Sequence, residues 1–222
     1  MLPSERIPYT AIPDRPKLSL PDGARLVVWF IMNVEEWNPR ETLPRTVLSP
    51  PAGGSPIPDI PNWAWHEYGN RVGFWRMLEV LDHFRIRAVL AINGSAIRTY
   101  QPIARAALER SWEFIGHGFG QKNQQAVVDE RANIIQATEA IRDFTGRAPR
   151  GWLGPGLTET WDTPDERDVF RMLEIDWINP LDRSLFQGET LGHAQFRWSR
   201  CRHENQERKE TTSEKEMVQT DI

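Results

Sequence analysis

Short apolar segments alternate with amphipathic segments along most of the chain. Residues 26–32 form a continuous apolar run, which is typical of a strand buried on both faces, as in parallel sheets. Three further short strands are predicted at residues 86–92, 112–115 and 150–152, and a fifth at residues 174–178. Strands of this kind need covering helices between them.

Amphipathic segments that follow the strands predict these helices. Apolar residues recur at helical spacing over residues 74–84, 102–110 and 127–141, and Gly146 is expected to end the last of these helices. A Thr-Pro pair at 163–164 fits the first positions of one more helix. Five consecutive βα units predict an α/β fold, either a sheet or a (β/α) barrel, with right-handed crossovers.

Two stretches lie outside this pattern. Twelve of the seventeen prolines precede residue 63, and residues 39–61 are too rich in proline for a helix or a central strand. A loop of this length, directly after the first strand, is predicted to shape and cover a pocket. Apolar residues are scarce from Ser199 onward, so we expect a poorly ordered tail. The predicted organisation is a lead-in over residues 1–23, one domain over 24–179 and a divergent tail over 180–222.

Charge and composition narrow the classes of partner. The 222 residues include 27 basic and 31 acidic side chains, a net charge of −4, so no overall basic field exists for nucleic acid or an anionic membrane. No run of eighteen apolar residues and no secretory leader is visible, which predicts a soluble cytoplasmic protein. Cys201 is the only cysteine, and this excludes an internal disulfide.

Candidate chemistry lies at the carboxyl ends of the predicted strands, where ligands bind in βα folds. Glu35 and Glu36 follow the first strand, and His117 lies between glycines after the third. Adjacent carboxylates in a partly dry mouth would raise one pKa and suit that group to general-base work. The small neighbours of His117 would let a substrate or a metal approach. The alternative interpretations are an exposed acidic pair and a structural, hydrogen-bonded histidine.

Ten tryptophans suggest either aromatic pocket walls or a tryptophan-rich core. Trp37, Trp152 and Trp177 lie near strand ends and are candidate pocket walls, with core packing as the alternative for each. The predicted set of substrate-binding residues shares this location and comprises Asn33, Trp37, Trp152, Pro155, Asp176 and Trp177.

The strand-end motifs occur in the same order as in a known family. An acidic pair after the first strand, a His-bearing turn after the third and a Pro/Gly turn after the fourth resemble the polysaccharide deacetylase (NodB-homology) superfamily. Residues 66–76 contain a Glu-Tyr-Gly-x-Arg-x-Gly-x-Trp-Arg pattern that looks like the allantoinase-like branch of that superfamily. The resemblance covers residues 24–179, with a divergent C-terminal part, and implies a distorted, incomplete (β/α) barrel of the NodB-homology type.

The resemblance also implies roles for individual residues. By position, Glu35 matches the family's acidic base, Glu36 its acidic metal ligand and His117 its first metal-binding histidine. Gln121 stands where a second histidine is typical, and a neutral amide oxygen is a poor substitute for imidazole on Zn²⁺. The turn at residues 153–157 lacks the arginine that orients the base in the family. These departures favour a metal-independent site, with a Zn²⁺ site on Glu36, His117 and Gln121 as the alternative.

Hydrolysis of a non-peptide carbon–nitrogen bond is the activity that the resemblance implies. We expect a small-molecule or carbohydrate substrate, such as a cyclic ureide, an imide or an N-acyl amide. Water deprotonated by Glu35 or Glu36 would attack it, and His117 would stabilise the oxyanion or protonate the leaving nitrogen. The alternatives are a metal-dependent carbohydrate N-deacetylase and an inactive or incomplete family member. An exposed barrel edge would allow self-association.

Overall fold

The computed structural model describes most of the chain up to residue 163. The described residues are 9–17, 20, 23–26, 28–50, 53–54, 56–163 and the backbone of 173–174. The predictions for Pro164, Asp176 and Trp177, for the fifth strand beyond residue 174 and for the tail lie outside these residues. Ser19–Asn179 groups into one compact unit; residues 9–17 belong to another and contain a 3₁₀ turn, Ile12–Asp14. The predicted domain boundaries stay a prediction.

A parallel sheet forms the centre of the larger unit. Its strands are β1 (Ile31–Val34), β2 (Val89–Ile92), β3 (Glu113–Gly116), β4 (Gly151–Trp152) and β5 (Leu173–Glu174). All neighbouring strands run parallel, and their order in the sheet is their order in the chain. A doubly wound sheet reverses its strand order at a switch point, whereas a (β/α) barrel adds each strand beside the last. The fold is therefore α/β, with the strand arrangement of an incomplete (β/α) barrel.

Helices connect the strands of the sheet. They are α1 (Ile60–Tyr68), α2 (Phe74–His83), α3 (Ala96–Thr99), α4 (Gln101–Glu109) and α5 (Glu130–Thr145). A π-helical turn, Gly69–Gly73, joins α1 to α2, so the backbone stays helical from one into the other. Asp129 caps the start of α5 by accepting a hydrogen bond from the Ala132 N–H, and Gly146, at φ 80°, ends it as predicted. Within the described segments, no helix is long and apolar enough to cross a membrane.

Alternation along the strands gives the sheet two different faces. On the outer face, Met32, Val34, Leu90, Ile92 and Phe114 belong to one buried cluster with apolar side chains of the helices. The opposite face bears a second buried cluster of Ala91, Ile115 and Leu153, with Ile31 and Val89 packed against it. Burial on both faces explains why the β2 segment reads as a continuous apolar run.

The first strand differs from its prediction. It begins at Ile31 rather than at residue 26, and Leu26, Val28, Trp29 and Phe30 are exposed. In the described sheet, β1 is an edge strand with β2 as its neighbour. Among the described residues, one hydrogen bond, from the Val89 N–H to the Phe30 carbonyl (2.8 Å), extends the pairing toward this run. An apolar run alone therefore overestimated the length and the burial of an edge strand.

Two helix boundaries also differ from the sequence pattern. Helix α1 begins at Ile60, inside the segment predicted as a loop, because Pro61 occupies an early position of the helix, where no backbone N–H is needed. Asp59 caps this helix and accepts hydrogen bonds from the backbone and side-chain nitrogens of Asn62 (3.2 and 2.8 Å). At the other boundary, residues 127 and 128 precede α5, and Val128 is exposed.

Candidate active site

The polar residues that follow β1, β2 and β3 come together at one edge of the sheet. Register pairs Asn33 with Ala91, and Ala91 with Ile115, so these three positions lie side by side. Two residues further along each chain, Glu35, Asn93 and His117 follow the same alternation. The sequence periodicity thus brings an acid, an amide and an imidazole to neighbouring strand ends.

His117 and Glu35 form a hydrogen-bonded pair. The imidazole is 1% exposed, and its Nε2 lies 3.3 Å from Glu35 Oε1. Its Nδ1 lies 2.6 Å from the Leu153 carbonyl oxygen, which can only accept, so Nδ1 carries a hydrogen. Nε2 is therefore the ring nitrogen that can exchange a proton with Glu35. The prediction that Glu35 and His117 lie near each other agrees with this geometry, although 82 positions separate them.

The pKa of Glu35 is lowered, so Glu35 is not the group of the acidic pair for which a raised pKa was predicted. Burial raises the pKa of Glu35, but hydrogen bonds from His117 and Trp37, together with the electrostatic influence of the two neighbouring imidazoles, outweigh burial. The pKa of Glu35 is thus lowered from its ordinary value, and the carboxylate is ionised at neutral pH. The sequence prediction considered the repulsion of Glu36 and could not include these partners.

Trp37 connects this pair to a pocket. Its Nε1 donates a hydrogen bond to Glu35 Oε2 (2.7 Å), and its ring stacks on His66 at a centroid distance of 4.4 Å. Burial lowers the pKa of His66 despite the nearby carboxylates of Glu35 and Glu67, which favours a neutral ring in this stack. Trp37 lines a pocket of about 660 Å³, as predicted for a pocket wall.

The pocket lies between the ends of β1, β2 and β3 and the first part of the proline-rich loop. Its lining includes Glu36, Trp37 and Gln121 from the predicted set, together with Pro39, Glu41, Thr42 and Pro44 from the loop. Glu36 accepts a hydrogen bond from the Thr99 hydroxyl (2.7 Å). Glu35, whose side chain is 20% exposed, is not part of the lining but is hydrogen-bonded to Trp37, which is.

Asn93 bonds to groups of Glu36, His117 and Gln121, although it was not among the predicted site residues. Its Oδ1 accepts a hydrogen bond from the Glu36 backbone N–H (2.9 Å), and its Nδ2 donates to the His117 carbonyl and to Gln121 Oε1 (3.0 Å). The side chain is completely buried. Its position at the end of β2 was the available signal, because the neighbouring strand ends already held candidates.

A second group of polar residues, called the Glu67 cluster, also lines the pocket. It consists of Glu67, Asn70, Arg71 and Tyr100. Buried Glu67 accepts hydrogen bonds from the Tyr100 hydroxyl and from Arg71 Nε (2.7 Å), and Asn70 Nδ2 donates to the Glu35 carbonyl (2.9 Å). Burial and the bond to Glu67 raise the pKa of Tyr100, which keeps its hydroxyl a donor. Three of these residues belong to the 66–76 motif, and none of them was predicted as a site residue.

Three predicted substrate-binding residues do not line the pocket. Asn33 is exposed on β1, and Pro155 is buried in the 3₁₀ turn Pro155–Leu157. Trp152 is fully buried and packs with Ile134 and Ala137 of α5, so it is a core residue rather than a pocket wall. Asp176 and Trp177 lie outside the described residues.

The glycines that flank His117 serve packing rather than access to the imidazole. A Cβ on Gly116 would lie 2.6 Å from Trp152 Cε3, and a Cβ on Gly118 would lie 2.6 Å from Pro155 Cγ. Gly118 also has φ 71°, a conformation that residues with a Cβ rarely adopt. The prediction that these glycines let a substrate or metal approach is therefore replaced by a steric requirement of the turn.

Substituting Gly118 by alanine is expected to lower the free energy of unfolding by about 2 to 4 kcal/mol, because overpacking adds to the cost of positive φ. Chemical denaturation of both proteins measures this. Gly120→Ala is the matched control, since nothing lies within 4 Å of a Cβ there. Equal stability of the two variants would contradict the steric explanation.

The three predicted metal ligands do not form a site that fits a metal. Glu36 Oε1 and Gln121 Oε1 accept hydrogen bonds from Thr99 and Asn93, and both ring nitrogens of His117 face other partners. Gln121 adds only a neutral amide oxygen, a weak ligand for Zn²⁺. Among the described residues, no three His, Cys, Asp or Glu side chains group as metal ligands would.

Comparison with known proteins agrees with the sequence motifs. The polysaccharide deacetylase family model matches residues 65–169. The peptidoglycan deacetylase of Helicobacter pylori is 26% identical over 90 residues, covering 40% of this chain and 31% of that protein. A polysaccharide deacetylase relative from Schizosaccharomyces pombe is 27% identical over 146 residues, which cover 60% of this chain and 45% of that protein. The chain thus spans less than half the length of either curated relative.

The fold agrees with a solved structure as well. PuuE allantoinase superposes with a TM-score of 0.62 at 23% sequence identity, covering 73% of this chain and 57% of that one. Together with the sheet order and the strand-end residues, this defines an α/β protein with an incomplete (β/α) barrel. The resemblance to the polysaccharide deacetylase (NodB-homology) superfamily is confirmed, and the allantoinase structure shows a similar fold.

Proposed function

We propose that this chain hydrolyses a non-peptide carbon–nitrogen bond in a cyclic ureide, an imide or an N-acyl amide. The observation that carries this proposal is the Glu35–His117 pair, which is held at the strand ends behind the Trp37 wall of the pocket. Similarity to deacetylases supports the class of reaction, because removal of an acetyl group from nitrogen is a hydrolysis of the same bond type.

Glu35 is the proposed general base. It is ionised at neutral pH, and it faces the one ring nitrogen of His117 that can exchange a proton. Glu35 accepts a proton from water, and the water oxygen adds to the carbonyl carbon of the substrate. The carbon–nitrogen bond then breaks, and the leaving nitrogen takes a proton from the Glu35–His117 pair. Glu36, which lines the pocket, is the alternative base.

Metal plays no part in the proposed steps, since the predicted ligands do not fit one. We expect incubation with EDTA, followed by gel filtration, to leave the hydrolysis rate unchanged. The measurement is turnover of hydantoin, succinimide, allantoin and N-acetylglucosamine before and after this treatment. Loss of activity that Zn²⁺ restores would favour the metal-dependent N-deacetylase, and absence of turnover on every compound would favour the inactive relative.

A further inference from the structure

Two cationic side chains line the pocket, and they differ in how they are paired. Lys122 Nζ lies 2.7 Å from Glu41 Oε2, and the hydrogen bond lowers the pKa of that carboxyl. Arg71 is bonded to Glu67 only through Nε, among the described residues, and its side chain is 68% exposed. A guanidinium has five N–H donors, so Glu67 occupies only a small part of this one.

The Glu67 cluster fixes the position of this guanidinium. Glu67 lies on α1 and Arg71 four residues later on the π-helical turn, so the two side chains meet on one face of the helix. Tyr100, which precedes α4, donates its hydroxyl to the other oxygen of Glu67. Because both carboxylate oxygens are bound, Glu67 cannot rotate away without breaking two hydrogen bonds. Arg71 is thus anchored at Nε, while its terminal nitrogens bond to no other side chain in the described part of the structure.

We propose that Arg71 binds a carboxylate of the substrate. This inference rests on the proposed function and narrows it to carboxylate-bearing cyclic ureides or N-acyl compounds. The two terminal N–H groups of a guanidinium match the two oxygens of a carboxylate, and such paired bonds are stronger than neutral ones. Trp63 and Trp75 line the same pocket and supply apolar walls for a planar ring.

The charge balance of the pocket favours one carboxylate over a phosphate. Three carboxylates line it, those of Glu36, Glu41 and Glu67, against the two cations Arg71 and Lys122. A doubly charged phosphate would meet a lining that is already negative by one charge. A single carboxylate held by the unshared donors of Arg71 adds less repulsion.

The experiment compares two ligands that differ by one acid group. Isothermal titration of the full chain with hydantoin-5-acetate and with hydantoin should show at least about tenfold tighter binding of the acid. Arg71→Gln should remove this preference while changing hydantoin affinity by less than about twofold. Lys122→Gln, the matched control, should retain the preference. If Arg71→Gln folds poorly because Glu67 loses its partner, the double variant Arg71→Gln/Glu67→Gln provides a neutral pair and should also lack the preference.

Several results would overturn the inference. These are equal or absent binding of the two ligands to the unmodified chain, equal weakening of both by Arg71→Gln, or tighter binding of inorganic phosphate than of the acid. Equal weakening would mean that Arg71 only pairs with Glu67. Because binding is measured without turnover, selective binding of the acid would support the carboxylate site even if the substrate screen showed no hydrolysis and so refuted the proposed function.

Discussion

Glu35→Gln is expected to lower kcat by about 10²- to 10⁴-fold, the usual contribution of a general base. Glutamine keeps the shape of the side chain and can still accept the Trp37 hydrogen bond, but it cannot take a proton from water. His117→Ala removes the partner of this carboxylate and should cause a loss of similar size. Steady-state kinetics on the substrate found in the screen measures both variants.

Two other carboxylates of the pocket provide the controls for this prediction. Glu41→Gln should leave kcat within about twofold, because Glu41 is paired with Lys122 at an exposed position. Glu36→Gln tests the alternative base, since Glu36 lines the pocket directly. If Glu36→Gln abolished turnover while Glu35→Gln retained it, the general base would be Glu36 rather than Glu35.

Asn93→Ala is expected to lower the free energy of unfolding by about 2 to 4 kcal/mol and to reduce activity as well. The substitution leaves the Glu36 N–H, the His117 carbonyl and Gln121 Oε1 without the partner they share, in a buried place. The strand ends that hold Glu36 and His117 would then lose their common connection. Denaturant titration and kinetics on the same preparation measure the two effects.

Asn123→Ala is a suitable comparison, because Asn123 is exposed and makes a local hydrogen bond to the Gln125 N–H (2.9 Å). Its cost should stay below about 1 kcal/mol. Asn93→Asp separates the contacts further, since it keeps the acceptor for the Glu36 N–H and loses the donor. A change of less than about 0.5 kcal/mol in Asn93→Ala would show that the shared hydrogen bonds do not hold the site together.

The location of the candidate site could be predicted from local patterns. Apolar runs identified the strands that Glu35 and His117 follow, and parallel strands carry such residues to one edge. The direction of the Glu35 pKa could not be predicted, because Trp37 Nε1 and His117 Nε2 become its partners only after folding. Asn93 was not predicted for the same reason, because the groups to which its amide bonds are brought together only by folding.

The fold was predictable where burial decided the pattern. Strand β2 is covered on both faces, and its apolar run agrees with its position. Residues 26–30 have the same composition but lie exposed ahead of edge strand β1, so composition could not distinguish the two cases. The role of Trp152 near a strand end was equally ambiguous, because a tryptophan fits a pocket wall and a core alike. Its contacts with α5 show that it is a core residue.

Asn62 connects the two walls that enclose the pocket. Its Oδ1 accepts hydrogen bonds from the Val47 and Leu48 N–H groups of the proline-rich loop, both at 2.7 Å, while its backbone belongs to α1. The side chain of Asn62 therefore joins the helix that leads to Arg71 to the loop that follows Pro44. We therefore expect a change in the length of the loop to shift α1 as well, so that the size of the pocket depends on both walls.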